Sequence, residues 1–363
     1  MLKFFQKHRK LVILILIVVL IRLASLNPYW IENYYTYGVY PIVSRFLRLL
    51  LGWVPFSVGD LLYAAAIAYL LVKLVKYSSL LIKKQLKKTV LLSALIKTLI
   101  VILTVYILFN VLWGLNYDRK GIAYQLNLDV QPYTKDDLIR LTTVLQNRMN
   151  YYGSQVDSVK RLQLNKNSLL FNEAIATYDK AKSTYPFLKY SNPSVKPSMY
   201  SDIGEYMGFT GYYNPFSGEA QVKTSIPVFL KPFIITHEIA HQLGYGKENE
   251  ANFVGYLASR NSSNIDFKYS VYFELGLYAL GDLRRKDSIA AKMFRGQWSA
   301  RVKNDYLDYL IYLFHSENRL EPIVMRFYDQ YLKMNNQPKG TATYNQVVAW
   351  LIAYMKKYGE GAI

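Results

Sequence analysis

The chain has 363 residues, of which 52% are hydrophobic, and it contains 34 tyrosines and no cysteine. This composition is too apolar for a disordered chain, and the absence of cysteine excludes disulfide bonds and thiolate metal ligands. A net charge of +19 is compatible with nucleic-acid binding, but most of the excess lies in residues 1–114, where only Glu32 and Asp60 oppose the basic side chains. A basic excess within apolar segments indicates a lipid bilayer, and not a nucleic acid, as the partner.

Three apolar stretches predict membrane spans at about 11–26, 58–75 and 89–112. The first is preceded by four basic residues: Lys3, Lys7, Arg9 and Lys10. No small-residue cleavage site follows it, so we expect an uncleaved span and not a removed signal peptide. The aromatic segment 29–56 predicts an interfacial region that lies on the headgroups.

The charges between the spans predict the orientation of the chain. The stretch 73–88 between the second and third spans contains six lysines and no acidic residue. Cytoplasmic segments carry an excess of Lys and Arg, so this stretch and the N-terminus are expected in the cytoplasm. Three crossings then place a second domain, residues 115–363, outside a membrane domain formed by residues 1–114.

Residues 115–363 predict a mainly helical α+β domain with a small sheet. A capping-box-like start at Thr134 begins one predicted helix. The Gly/Tyr-rich run 204–218 predicts short strands and turns, and residues 219–222 predict an edge strand that could pair with an extended substrate. Tyr212 and Tyr213 in this run are candidates to contact substrate or stabilise an oxyanion, with ordinary packing as the alternative.

The segment His237-Glu238-Ile239-Ala240-His241 is a H-E-x-x-H motif. Pro232 upstream and Gly244 downstream predict a helix between them. Residues four apart share a helix face, so both imidazoles can bind one cation. Glu238 points away from that shared position and can take a proton from a water molecule. The motif therefore predicts a zinc hydrolase site.

A second helix is predicted to supply the third metal ligand. A helical wheel over residues 248–259 places Glu248, Asn252, Gly255 and Ser259 in one polar stripe of small side chains, which would allow the two helices to approach closely. Glu248 is the favoured ligand and Asn252 a candidate to orient a histidine. Glu250 is the alternative ligand, because it falls at the edge of the apolar face.

Two resemblances rest on these residues. Glu-x-Glu-Ala-Asn resembles the Glu-x-Glu-Ala-Asp stretch of membrane zinc peptidases of the prenyl-protein endopeptidase type, although Asn252 stands in place of their Asp. The chain is also similar to the bacterial membrane family catalogued as domain of unknown function 3810, whose motifs here are His237–Gly244 and Glu248–Phe253. The resemblance implies N-terminal spans and a zincin-like (gluzincin) fold, and it supplies no substrate.

The sequence thus predicts a membrane-anchored metallopeptidase that acts on an unidentified peptide or protein at the outer side of the cytoplasmic membrane. His237, His241 and Glu248 are expected to hold Zn²⁺, which their ligand types favour over iron. The alternative is a non-catalytic, membrane-anchored binding protein in which the metal is structural.

Overall fold

The computed structural model describes residues 8–85 and 87–363, which form a mainly helical structure with a small sheet. Lys3 and Lys7, part of the basic N-terminus used for the predicted orientation, lie outside the described residues. The N-terminal region contains α1 (Arg9–Ser25), a helical turn (Pro28–Trp30), a π-helix (Ile31–Val39), α2 (Tyr40–Leu51), α3 (Val58–Ile82) and α4 (Lys88–Leu112).

Two of these helices, α3 and α4, are long and apolar enough to cross a membrane. At about 1.5 Å per residue, 25 residues exceed the roughly 30 Å of a bilayer core. The segment from α1 to the end of α2 is a third candidate, but it bends by 93° after Ser25. The structure therefore supports two or three spans where three are predicted, and it leaves the side of the membrane that the domain occupies as a prediction.

Hydrogen bonds join the start of α3 and the end of α4 to the second domain. At the start of α3, the buried Glu219 carboxylate accepts hydrogen bonds from the Gly59 amide (2.7 Å) and the Ser57 hydroxyl (3.3 Å). At the end of α4, the Trp113 indole donates to the backbone carbonyl of His241 (2.9 Å). The two helices therefore run in opposite directions between this domain and their basic connection.

Segment 29–56 packs one helical face against the second domain. The Tyr40 hydroxyl and the Arg48 guanidinium both donate to the backbone carbonyl of Gln242, at 2.8 and 3.2 Å. The opposite face is apolar and exposed, with Ile42, Phe46, Leu49 and Trp53 at helical spacing. A location on the headgroups stays a prediction, as does the exact boundary between the two domains.

The remaining elements follow in chain order. The helices are α5 (Ile122–Gln125), α6 (Lys135–Gln155), α7 (Ser158–Gln163), α8 (Asn167–Ala181), α9 (Ser201–Met207), α10 (Lys231–Gln242), α11 (Glu248–Ser259), α12 (Ile265–Lys286), α13 (Ser288–Gly296), α14 (Ala300–Ser316), α15 (Glu321–Met334) and α16 (Val347–Tyr358). The strands are β1 (Val195–Pro197), β2 (Gly211–Asn214) and β3 (Glu219–Val222). Thr134 caps α6 in the predicted capping box.

The predicted edge strand is wrong, because β3 is the central strand of the described sheet. The order is β1-β3-β2, with β1 parallel to β3 on one side and β2 antiparallel on the other. Hydrogen bonds on both sides leave β3 unable to pair with a substrate. Part of the Gly/Tyr-rich run is also helical, because α9 continues until Gly208 ends it at φ +73°.

Helices α10 and α11 lie in the centre of the domain, and every one of their residues is buried. They pack on each other and are surrounded by the sheet and by α8, α12 and α16. The H-E-x-x-H motif is therefore part of the core of the fold.

Candidate metal centre

The motif helix α10 begins and ends where its sequence predicts. Pro232 occupies the first turn, where its missing amide hydrogen leaves no bond unmade. Gly244 follows the end of the helix at φ +90°, and a Cβ atom there would lie 2.9 Å from the Tyr40 ring. Within the helix, His237 and His241 are one turn apart, with ring centroids separated by 4.7 Å and ring planes at 89°. Both rings therefore project toward one point.

The polar stripe of α11 faces α10. The Asn252 side chain lies 2.8 Å from His237 Nδ1, and the Ser259 hydroxyl lies 3.0 Å from that of Thr236. A Cβ at Gly255 would lie 3.3 Å from the His237 backbone nitrogen, so a small residue is needed for this close approach. The stripe brings the Glu248 carboxylate to the two imidazoles.

His237, His241 and Glu248 form a buried group that could hold a metal ion. Glu248 Oε2 lies 3.2 Å from His237 Nε2 and 3.4 Å from His241 Nε2, and the three ligand atoms lie within 4.8 Å of one another. Glu250 does not belong to this group. Its carboxylate packs against Gly121, where a Cβ would collide with it, and it lies near Arg119. The geometry thus favours Glu248 over Glu250.

Hydrogen bonds orient both rings with Nε2 toward the group. His241 Nδ1 lies 2.7 Å from the carbonyl oxygen of Tyr245, which can only accept, so Nδ1 carries the hydrogen. For His237, the Asn252 amide nitrogen faces the Tyr344 carbonyl at 3.4 Å, which turns the amide oxygen toward Nδ1. In the neutral rings both Nε2 lone pairs then point at a carboxylate oxygen, an arrangement that attracts a cation.

The charges of the group reinforce this attraction. Burial disfavours the charged carboxylate of Glu248, yet the two histidines hold its pKa well below its usual range. Burial likewise opposes the charged form of His241, but Glu248 raises the pKa of its imidazole to about 9. Burial lowers the pKa of His237. Without a metal, the carboxylate therefore stays ionised and His241 carries a positive charge beside it. A divalent metal in the place of that charge would leave both imidazoles neutral, and two neutral imidazoles and a carboxylate fit such an ion.

Glu238 lies beside this group on the side of the sheet. Its carboxylate packs against Gly211 of β2, where a Cβ would lie 2.6 Å from Oε1. Its Oε2 is buried and has no hydrogen-bond partner within the described part of the chain. Burial raises the pKa of this carboxyl to about 8. The unpartnered oxygen of this buried carboxyl, next to two imidazoles, is therefore available to a bound group.

Aromatic residues to which no sequence pattern points cover the group. The Tyr328 hydroxyl of α15 donates to Glu248 Oε1 at 2.6 Å, and the Tyr344 ring stacks on His237 with centroids 6.2 Å apart. The Trp113 ring lies edge-on to His241 at 6.0 Å. These residues are 80 or more positions from their partners, so no local sequence pattern connects them to the motif.

Tyr212 and Tyr213 direct their hydroxyls elsewhere. The Tyr212 hydroxyl bonds to the carboxylate of Asp60 and lies 3.0 Å from the Ser198 hydroxyl. The Tyr213 hydroxyl lies 3.4 Å from that of Tyr40, inside the aromatic cluster at the end of the spans. These contacts support packing at the membrane end of the domain, and they give no support to an oxyanion role.

The fold and the site together define a membrane-associated, mainly helical protein with a buried His-His-Glu group able to hold a metal ion. The family model described as protein of unknown function (DUF3810) matches residues 35–352. The chain belongs to this family, and the match includes the whole metal group and both long apolar helices. No match was found among curated proteins or among solved structures.

Proposed function

We propose that the protein is a membrane-anchored, zinc-dependent hydrolase that cleaves peptide bonds. The observation that carries this proposal is the convergence of His237, His241 and Glu248 on one point, with the unpartnered carboxylate of Glu238 beside it. Two histidines and one carboxylate are a ligand set of catalytic zinc sites, which keep a coordination position open. The domain is proposed to lie on the extracytoplasmic side of the cytoplasmic membrane, in accordance with the positive-inside rule.

The residues have distinct roles in this proposal. His237, His241 and Glu248 would hold Zn²⁺, which supplies a Lewis acid that polarises a carbonyl group and acidifies water. Glu238 accepts a proton from the attacking water and transfers it to the leaving amine. Asn252 fixes the ring of His237, because its amide oxygen accepts the hydrogen bond from Nδ1 of that ring. Strand β2 is at the edge of the sheet and contacts Glu238 through Gly211, so in this proposal it would line the substrate cleft.

The closed environment of the group favours a second candidate, a binding protein with a structural metal. The three motif side chains and Glu248 are all buried, and Tyr328 and Tyr344 cover the candidate ligands. Structural zinc sites are closed, whereas catalytic sites need a path for water and substrate. The catalytic proposal therefore requires Tyr328 and Tyr344 to leave a path for water and substrate during turnover.

The substitution Glu238→Gln separates the two candidates. It keeps the size of the side chain but removes the base, so the purified full-length chain should retain zinc. Hydrolysis of a mixture of quenched fluorescent peptides by protein in lipid nanodiscs should fall by about 10²–10⁴-fold, the range for a lost general base. Glu250→Gln is the matched control, because it neutralises a buried carboxylate of α11 outside the metal group.

A cellular assay removes the dependence on a chosen peptide. Cells that carry Glu238→Gln should show the phenotype of cells that lack the whole chain. If Glu238→Gln behaves as wild type while His237→Ala does not, the metal is structural and the protein is not a hydrolase.

A further inference from the structure

Helix α15 carries an apolar stripe on its outer surface. Ile323, Phe327 and Met334 recur at helical spacing, and Phe327 and Met334 are 74% and 75% exposed. Leu320, just before the helix, extends the stripe. Beyond the preceding turn, the end of α14 adds Leu310, Ile311 and Phe314, which are also exposed. An exposed apolar surface of this kind marks an interaction site.

The inner face of the same helix covers the metal centre. The Tyr328 hydroxyl donates to Glu248 Oε1 and lies 3.2 Å from the hydroxyl of Tyr344. Leu332 on this face is fully buried. Helix α15 therefore separates the metal group from whatever contacts the apolar stripe.

The stripe continues onto the end of a candidate membrane span. The ring of Tyr331, which lies along the stripe, packs edge-on against Phe109 in the last turn of α4, with centroids 6.4 Å apart. Its hydroxyl lies 3.2 Å from that of Tyr117, just after the span. The part of the stripe around Tyr331 thus lies at the level where α4 ends.

Helix α9 forms a second apolar surface at the start of α3. Ile203 and Tyr206 in this helix, and Met199 just before it, are exposed at helical spacing. The Met199 amide donates to the side chain of Asp60 in the first turn of α3, at 2.7 Å. Helix α9 also adjoins α15, because a Cβ at Gly208 would lie 3.0 Å from Glu321 Cγ. The helices that carry the two exposed surfaces are therefore neighbours. One surface adjoins the start of α3 and the other adjoins the end of α4, and these two helix ends both face the domain.

We propose that α15 and α9 dock with these faces in the leaflet of the bilayer on the side of the domain. The occupant is lipid because α3 and α4, wherever they cross a membrane, fix both surfaces at the level where the spans enter it. Arg326, one residue before Phe327, is exposed beside the stripe, where a basic side chain would reach the headgroups. Lipid then holds the outer face of the helix that covers the metal centre.

The chain contains no cysteine, so a single introduced cysteine labels one position. An environment-sensitive fluorophore on Phe327→Cys is compared with one on Arg326→Cys, in full-length protein at one copy per nanodisc. Lipids with brominated acyl chains should quench the label at 327 and leave the label at 326 largely unquenched. Aqueous iodide should show the reverse order. Ile323→Cys repeats the test on the same face in case Phe327→Cys does not fold.

Two outcomes overturn the proposal. If iodide quenches both positions equally and brominated lipid quenches neither, the stripe faces water. If the label at 327 is shielded from iodide without being quenched by brominated lipid, a protein surface covers the stripe. Neither result depends on hydrolysis, so the proposed peptidase activity is tested separately.

Discussion

The indole nitrogen of Trp113 donates a hydrogen bond to the backbone carbonyl of His241, and its ring lies edge-on to the imidazole of the same residue. Trp113 directly follows α4, and His241 belongs to the group that could hold a metal ion. The end of a candidate membrane span is therefore in contact with the metal group. Loss of this contact should therefore weaken metal binding.

Trp113→Phe removes the hydrogen bond to His241 and keeps an aromatic ring in place. We expect zinc affinity to fall by about tenfold, the lower end of the range for residues that support metal ligands. Competition with a chelator of known zinc affinity measures the change. Trp53→Phe is the control, because Trp53 is 79% exposed and its substitution should leave affinity unchanged. Equal affinities in the two variants would show that the contact only anchors the helix.

Glu248→Gln and Glu250→Gln test the third ligand. Glu248 lies within 3.4 Å of both imidazoles, so the loss of its charge should weaken zinc binding by about 10–100-fold. Glu250 contacts Gly121 instead, so its variant should retain zinc and change mainly thermal stability. Metal analysis and thermal unfolding of both variants distinguish the roles. Exchanged phenotypes would make Glu250 the ligand.

Asn252→Ala should release the ring of His237, because no other described side chain bonds to its Nδ1. Zinc affinity is expected to fall by about 10–100-fold, as for other groups that orient a ligand histidine. Asn252→Asp restores an acceptor of the same shape and should bind zinc at least as tightly as wild type. If both variants bind zinc as wild type does, the ring is held by packing alone.

The ion pair between Glu32 and Arg119 joins the π-helix to the second domain. The charged atoms are 2.7 Å apart and both side chains are nearly inaccessible to solvent. Glu32→Gln leaves the guanidinium buried without its counter-charge and should destabilise the protein by about 3–5 kcal/mol. Glu360→Gln breaks an exposed pair with Arg140 and should have little measurable effect. Thermal unfolding in one detergent compares the variants, and equal losses would contradict this account.

The orientation is tested by reporter fusions. A reporter placed after Ile363 should be active only in an extracytoplasmic assay, and one placed near Lys84 only in a cytoplasmic assay, because basic segments remain inside. The fused proteins should also be checked for equal expression. A C-terminus found in the cytoplasm would reverse the topology and remove the extracytoplasmic location from the proposed function.

The central pair of helices could be predicted from local patterns. The spacing of His237 and His241 sets them on one face of any α-helix, and Pro232 and Gly244 limit that helix through their backbone preferences. The polar stripe of α11, which begins at Glu248, follows the same helical period. These features depend on residues within a few turns of one another, which is why the candidate ligands were accessible from the sequence.

The surroundings of the group were decided by the tertiary structure. The contacts of Trp113 and Tyr328 join residues more than 75 positions apart, and nothing in the periodicity of either segment encodes such a partner. The central position of β3 was missed for a similar reason, because strand order depends on which distant strands pair with it. By itself the sequence determined the two central helices and the residues on them that can bind a metal, since these follow from backbone geometry and side-chain chemistry. Only the tertiary structure decided that the residue after α4 and helix α15 pack against the site, because that arrangement arises from packing between segments far apart in the chain.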